Sequence, residues 1–307
     1  MMRAMLRRVL LASALATGAA LAQAPSPVPG APTAEELRQL CAAVPASPVA
    51  AADMARRAEC ILSGVLPSAQ RIAEARALAR AALQGGEPAG GLVLYLVFAA
   101  DPSNQAGRDG RMEPETYRRL GARALAERAE QVEAIEGLGF AAGRNHPAAG
   151  MLLANYFHDT VAPRNVARTG AMADVLMRSG QKHPALDRYI REANAIARTA
   201  PATKASPRSF LEAYAIAVAT AQGGYRAQGG SKACADVRLK SVSSGDIEGA
   251  EFLPLKGTLV ADSYLVKGRW SEFWIFQACD QEVPVKVHFE ADGWGGSVAT
   301  ASHNKGE

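Results

Sequence analysis

Apolar residues recur at helical spacing through most of the first 230 positions and at strand spacing after them. From Ser68 to Leu83, the side chains of Ile72, Ala75, Ala79 and Ala82 fall on one helical face, while Arg71, Glu74 and Arg80 lie off it. This predicts an amphipathic helix that Gly85 ends. Leu92 to Phe98 is apolar throughout, and its place among helical segments predicts a buried helix rather than a strand. Helix starts are expected at Thr33-Ala34-Glu35-Glu36, a capping-box pattern, and at Ser47-Pro48, an N-cap followed by Pro. Beyond residue 230 the period becomes two. Val283, Val285, Val287 and Phe289 point one way, and Lys286, His288 and Glu290 the other. Gly257 to Val266 and Trp270 to Cys279 read as two further strands joined by a Lys267-Gly268-Arg269 hairpin. Asp292-Gly293 forms a turn before a strand from Ser297 to Ser302, and Val237 to Val242 adds an edge strand.

The helical region repeats. Gly143-Arg144-Asn145-His146-Pro147-Ala148 and Gly180-Gln181-Lys182-His183-Pro184-Ala185 lie 37 residues apart. A looser copy, Gly85-Gly86-Glu87-Pro88-Ala89, precedes them, and a polar insertion from Asp101 to Met112 accounts for its longer spacing. In each copy Gly ends one helix and Pro opens the next, giving a helix-loop-helix unit with a period in the range of helical solenoids.

These Ala-rich helices, their Gly-loop-Pro-Ala junctions and starts such as Ala148-Ala149-Gly150-Met151-Leu152-Leu153-Ala154-Asn155-Tyr156 resemble the Sel1-like and tetratricopeptide-like repeat families over roughly residues 68 to 222. The resemblance implies three helical pairs in a right-handed superhelix whose concave face binds another protein. The expected fold class is therefore α+β, an α-hairpin solenoid followed by a small antiparallel β-sheet domain.

Composition adds boundaries and a compartment. Arg3, Arg7 and Arg8 precede the uncharged stretch Val9 to Leu21, and small residues close it at Ala20-Leu21-Ala22, so residues 1–22 are expected to be a secretory signal peptide. The apolar stretch is shorter than the roughly 20 residues of a membrane span. Residues 23–32 form a Pro-rich linker. Between Gln23 and Gly230 there are 21 Arg and 2 Lys, whereas from Ser231 onward there are 6 Lys and 2 Arg, with all three Trp. Together with the change of period, this sets a helical repeat domain at 33–230 and a β domain at 231–307.

Without the signal Arg residues the chain carries 31 basic against 30 acidic residues, a balance that points to neither nucleic acid nor an anionic membrane as partner. Four cysteines in an exported chain favour disulfides, and Cys41–Cys60 with Cys234–Cys279 keeps each bridge within one structural unit.

Candidate chemistry is weighed against simpler roles. His146, His158, Asp159, His183 and Asp187 supply the residue types of HD-family metal-dependent phosphohydrolases, but at other spacings. His146 and His183 occupy equivalent repeat positions, which explains them without a metal. The loop Asp101 to Glu113 fails the calcium-binding EF-hand template, with Ala106 and Met112 where Gly and Glu are needed. Glu127, Glu130, Glu133 and Glu136 recur at three-residue spacing beside Arg123 and Arg128, as a solvated charged stripe does. Of Trp270, Trp274 and Trp294, which could stack on sugar rings, Trp274 shares a face with Phe276 and belongs in the core, while Trp294, in a Gly-rich turn, is the aromatic expected at the surface.

The expected protein is a periplasmic, non-enzymatic scaffold that binds another envelope protein and uses neither cofactor nor metal. Tyr156, Arg164 and Arg168 are its expected groove residues, and Trp294 a further contact. The alternatives are a cell-wall glycan hydrolase or lyase using acids of the helical part, and a glycan-binding β domain.

Overall fold

The computed structural model describes residues 34–101, 121–230, 234 and 236–303. The signal-peptide and linker expectations, and most of the Asp101 to Met112 insertion, lie outside them. Helices come first and a small antiparallel sheet follows, so the chain is α+β. It divides into two compact units, one within Met1–Arg111 and Glu133–Ala149, the other within Met112–Val132 and Gly150–Glu307.

In the first unit lie α1 (Ala34–Ala42), α2 (Ala51–Leu62), α3 (Arg71–Gln84), α4 (Pro88–Ala100) and, from Glu133, most of α5 (Ala129–Gly143). The Cys41–Cys60 disulfide ties α1 to α2. The second helix begins three residues after the expected Ser47-Pro48 start, with Ala50 as its N-cap and Asp53 in its first turn, where a carboxylate favours the N-terminal end of the helix dipole. Its Ala58 and Ile61 meet Ala75 and Ala79 of α3 and Val93, Leu94 and Val97 of α4 in one apolar cluster. The Leu92 to Phe98 run is thus helical, opened by Pro88 and capped by the Glu87 side chain, which accepts from Ala89 N at 3.1 Å. Two glycines let α4 pass close to α5: a Cβ on Gly91 would stand 2.2 Å from Gly137 O. Arg76–Asp101 at 2.8 Å and Arg80–Glu133 at 2.6 Å link helices at the surface of this unit.

In the second unit a 3-10 turn (Leu125–Arg128) leads into α5; α6 (Pro147–Asp159, from Gly150), α7 (Asn165–Arg178), α8 (Pro184–Thr199) and α9 (Pro207–Ala227) follow. Five strands complete it: β1 (Val237–Ser244), β2 (Glu248–Phe252), β3 (Leu265–Ala278), β4 (Gln281–Ala291) and β5 (Ser297–His303). All pairings are antiparallel in the order β1-β3-β4-β5, with β2 on the first half of β3.

Lys267-Gly268-Arg269 is not a hairpin. The chain runs straight through it, because Val266, Gly268, Trp270, Glu272 and Trp274 keep one inward alternation. Gly268 instead lets β2 approach: its φ is +142° and a Cβ there would lie 2.7 Å from Ile247 Cγ2. Residues 257–264, expected as strand, form a turn-rich excursion between β2 and β3.

The sheet does not close its own core. Trp274, Phe276, Val283, Val285, Val287 and Phe289 pack with Phe210, Ala213, Ala217, Ala221 and Tyr225 of α9 in one cluster. Ala at i, i+4 and i+8 lets that helix lie close on the sheet, and the Phe210 and Trp274 rings stack with centroids 4.8 Å apart. The compositional break near residue 230 therefore marks where helix gives way to strand, while the compact units divide elsewhere. The Cys234–Cys279 disulfide, Cα to Cα 5.9 Å, joins the entry of β1 to the end of β3.

Candidate functional site

The expected groove residues are mostly engaged inside the second unit. Tyr156 is buried, and its hydroxyl lies 2.8 Å from Ser263 Oγ. Asn165, also fully buried, donates through Nδ2 to Thr160 O at 2.7 Å and to Ser263 O at 2.9 Å. Arg168 donates to Asn165 Oδ1 at 3.2 Å and to Ala261 O at 2.7 Å. Tyr156, Asn165 and Arg168 thus grip the excursion between β2 and β3, Tyr156 through the Ser263 hydroxyl and the other two through its backbone carbonyls. Arg164, the N-cap residue of α7, is exposed. Trp294 is half-buried in a turn organised by Asp292, whose Oδ1 accepts from Trp294 N at 2.7 Å and Gly296 N at 2.9 Å. Arg128 donates to Gly293 O in the same turn at 2.8 Å. The four residues do not form one surface.

The imidazoles and acids of the phosphohydrolase comparison are likewise dispersed. His146 belongs to the first unit, and His183 Nδ1 caps α8 by accepting from Ala185 N at 3.2 Å. His158 is buried with Nδ1 2.8 Å from Asp159 Oδ1 and Nε2 2.8 Å from Glu192 Oε2. Burial works against a charge on this ring, but hydrogen bonds to the two carboxylates more than offset it, so its pKa is raised. Arg208 stands 3.5 Å from Asp159 and Arg188 3.8 Å from Glu192, while burial pushes the neighbouring Tyr189 hydroxyl up to about 12. With each ring nitrogen 2.8 Å from a carboxylate, one of them on α8, His158 ties α6 to α8. Among the described residues, no group of three or more His, Cys, Asp or Glu could hold a metal ion. The acidic stripe is also divided: Glu127 lies in the 3-10 turn, and Glu133 makes a two-pronged ion pair with Arg80.

The surface not anticipated lies on the outer face of the sheet. Alternation that buries Trp270, Glu272 and Trp274 turns Ser271 and Phe273 outward, and the β4 register sets His288 opposite Ser271 and Lys286 opposite Phe273. Phe273 remains 39% exposed beside a shallow depression lined by Asp246, Glu248, Arg269, Ser271 and His288. Ser271 Oγ lies 3.3 Å from His288 Nδ1, Arg269 pairs with Glu248 at 3.0 Å, and Lys286 Nζ sits 5.8 Å over the Phe273 ring. The signal was the same alternation that located Trp274: a large apolar residue one position out of phase has to face away from the core.

No protein-family model matches the chain, and no curated protein or solved structure matches it either.

Proposed function

We propose that the protein is an exported, non-enzymatic binding protein that holds a partner protein in the periplasm, with a Sel1-like or tetratricopeptide-like helical region and a sheet that carries the principal contact. The observation that carries this reading is Phe273, an exposed aromatic ring amid groups of both charges on the outer face of the sheet. Interface centres favour such aromatic anchors ringed by polar groups. Two disulfides fit an oxidising compartment. The repeat reading draws support from the packed pair α7–α8 and from the helices opened by Pro147 and Pro184, 37 residues apart in sequence. In this reading the polar residues once assigned to a helical groove hold the fold together, and the outer sheet face meets the partner.

Affinity capture from intact envelopes tests it. Wild-type protein is expected to retain a specific envelope protein unaltered, and Phe273→Asp to lose it while keeping native near-ultraviolet circular dichroism. Undiminished capture by Phe273→Asp would remove the sheet face from the proposal, and chemical alteration of the captured material would replace binding with catalysis.

A further inference from the structure

The two edges of the sheet are built differently. On one side, β1 carries the exposed charges Arg238 and Lys240 and a register shift between Leu239 and Ser241, and β2 carries Glu248 and Glu251 with two register shifts of its own. Charges and bulges of this kind keep an edge from pairing with another chain. On the other side, β5 reads Ser-Val-Ala-Thr-Ala-Ser-His, with no Pro and no Lys, Arg, Asp or Glu, and pairs with β4 from Ala291↔Ser297 to Val285↔His303 without a shift. Among the described residues, no strand pairs with its outer edge.

The cover over β5 is also incomplete. Inward-facing Val283, Val285, Val287 and Phe289 of β4 are fully buried, whereas their neighbours Ser297, Ala299, Ala301 and His303 on β5 are only half-buried, although α9 lies chiefly over that strand. On the outer side Val298 is 63% exposed. A strand with satisfied hydrogen bonds on one side and none from the described chain on the other is a template for one more strand.

From this contrast we infer that β5 is a homodimerisation edge, pairing antiparallel with β5 of a second copy of this chain to make one continuous sheet. The sequence of the strand is self-complementary for that arrangement. A two-fold axis through Thr300 brings Val298 opposite Ser302 of the second copy, Ala299 opposite Ala301, Ser297 opposite His303, and Thr300 opposite itself. No Asp, Glu, Lys or Arg opposes its like, every residue in the middle is small, and Thr–Thr and Val–Ser neighbours suit the exposed face. The closed two-fold contact uses the β5 edge of both copies and leaves only the charged, bulged β1 and β2 edges at the outer ends. This inference stands independently of any partner held by Phe273.

Sedimentation of the purified protein from roughly 1 to 100 μM tests it, in the concentration range where a modest interface shows its monomer-dimer equilibrium. The wild type is expected to dimerise. Thr300→Lys and Thr300→Glu, exposed substitutions that oppose like charges across the axis, are each expected to weaken self-association at least about tenfold with near-ultraviolet circular dichroism unchanged. An equimolar mixture of the two should recover the dimer, because Lys then faces Glu. A wild-type monomer at every concentration overturns the proposal and leaves the edge to a strand from a different protein. A dimer indifferent to Thr300→Lys, or a mixture that fails to recover, overturns it equally.

Discussion

The carboxylate of Glu272 accepts the indole N–H of Trp274 at 2.9 Å in a core where both residues have zero exposure. Its other oxygen takes the Trp270 indole N–H at 3.1 Å and Lys204 N at 2.8 Å, and Thr203 Oγ1 reaches both oxygens within 3.0 Å. A buried acid is costly unless its lone pairs are filled, and here they are filled by groups from the α8–α9 connection and from its own strand.

Removing that acid is expected to cost far more than a surface change. Glu272→Ala leaves two indole N–H groups, a backbone N–H and a hydroxyl without their acceptor, for a loss of about 3–5 kcal/mol. Urea unfolding followed by Trp fluorescence measures it, and a loss below about 1 kcal/mol would contradict the role assigned to Glu272.

His158 makes stability depend on pH. Its folded-state pKa lies above the ordinary value of 6.5, so the stabilisation from its two carboxylate partners is complete below pH 6.5 and is lost as pH rises through the folded value. Unfolding midpoints of the wild type should fall as pH is raised from about 6 to 9, and His158→Gln should be less stable than the wild type at the acid end and show a flatter profile. Parallel profiles would show that the ring does not carry the linkage.

Two helical glycines are expected to respond oppositely to alanine. Helix propensity alone favours the change by up to about 1 kcal/mol. At Gly223 of α9 nothing lies within 4 Å of the new Cβ, so Gly223→Ala should stabilise by roughly that amount. At Gly91 the Cβ would meet Gly137 O at 2.2 Å, a backbone atom that cannot swing away, so Gly91→Ala should destabilise by about 2 kcal/mol. Thermal unfolding of both variants reads the two signs.

The candidate site was only partly legible. Trp274, Phe276 and the Val283 to Phe289 alternation declare an inward face in the sequence itself, and the outward parity of Phe273 follows from it. Tyr156 and Arg168 were assigned to a groove because their residue types are frequent in interfaces. Residue type does not say which neighbour a long side chain reaches, and Ser263 and Ala261, 107 and 93 positions away, are what they reach. Strand β2 was missed since Glu-Gly-Ala-Glu-Phe has little strand propensity of its own and forms by pairing with β3.

Local chemistry written in the chain determined the order of elements, the helix stops at Gly85 and Gly180, the Pro-opened helices and which face of β4 is buried. Periodicity, turn chemistry and capping act over a few residues, and these can be read in one dimension. Tertiary structure alone decided that β3 runs through Gly268, that α9 closes the core of the sheet, that Glu272 is buried among indoles, and that among the described residues no strand pairs with the outer side of β5. Those outcomes depend on contacts between residues tens of positions apart, where shape and hydrogen-bond satisfaction select among arrangements that the same local pattern permits.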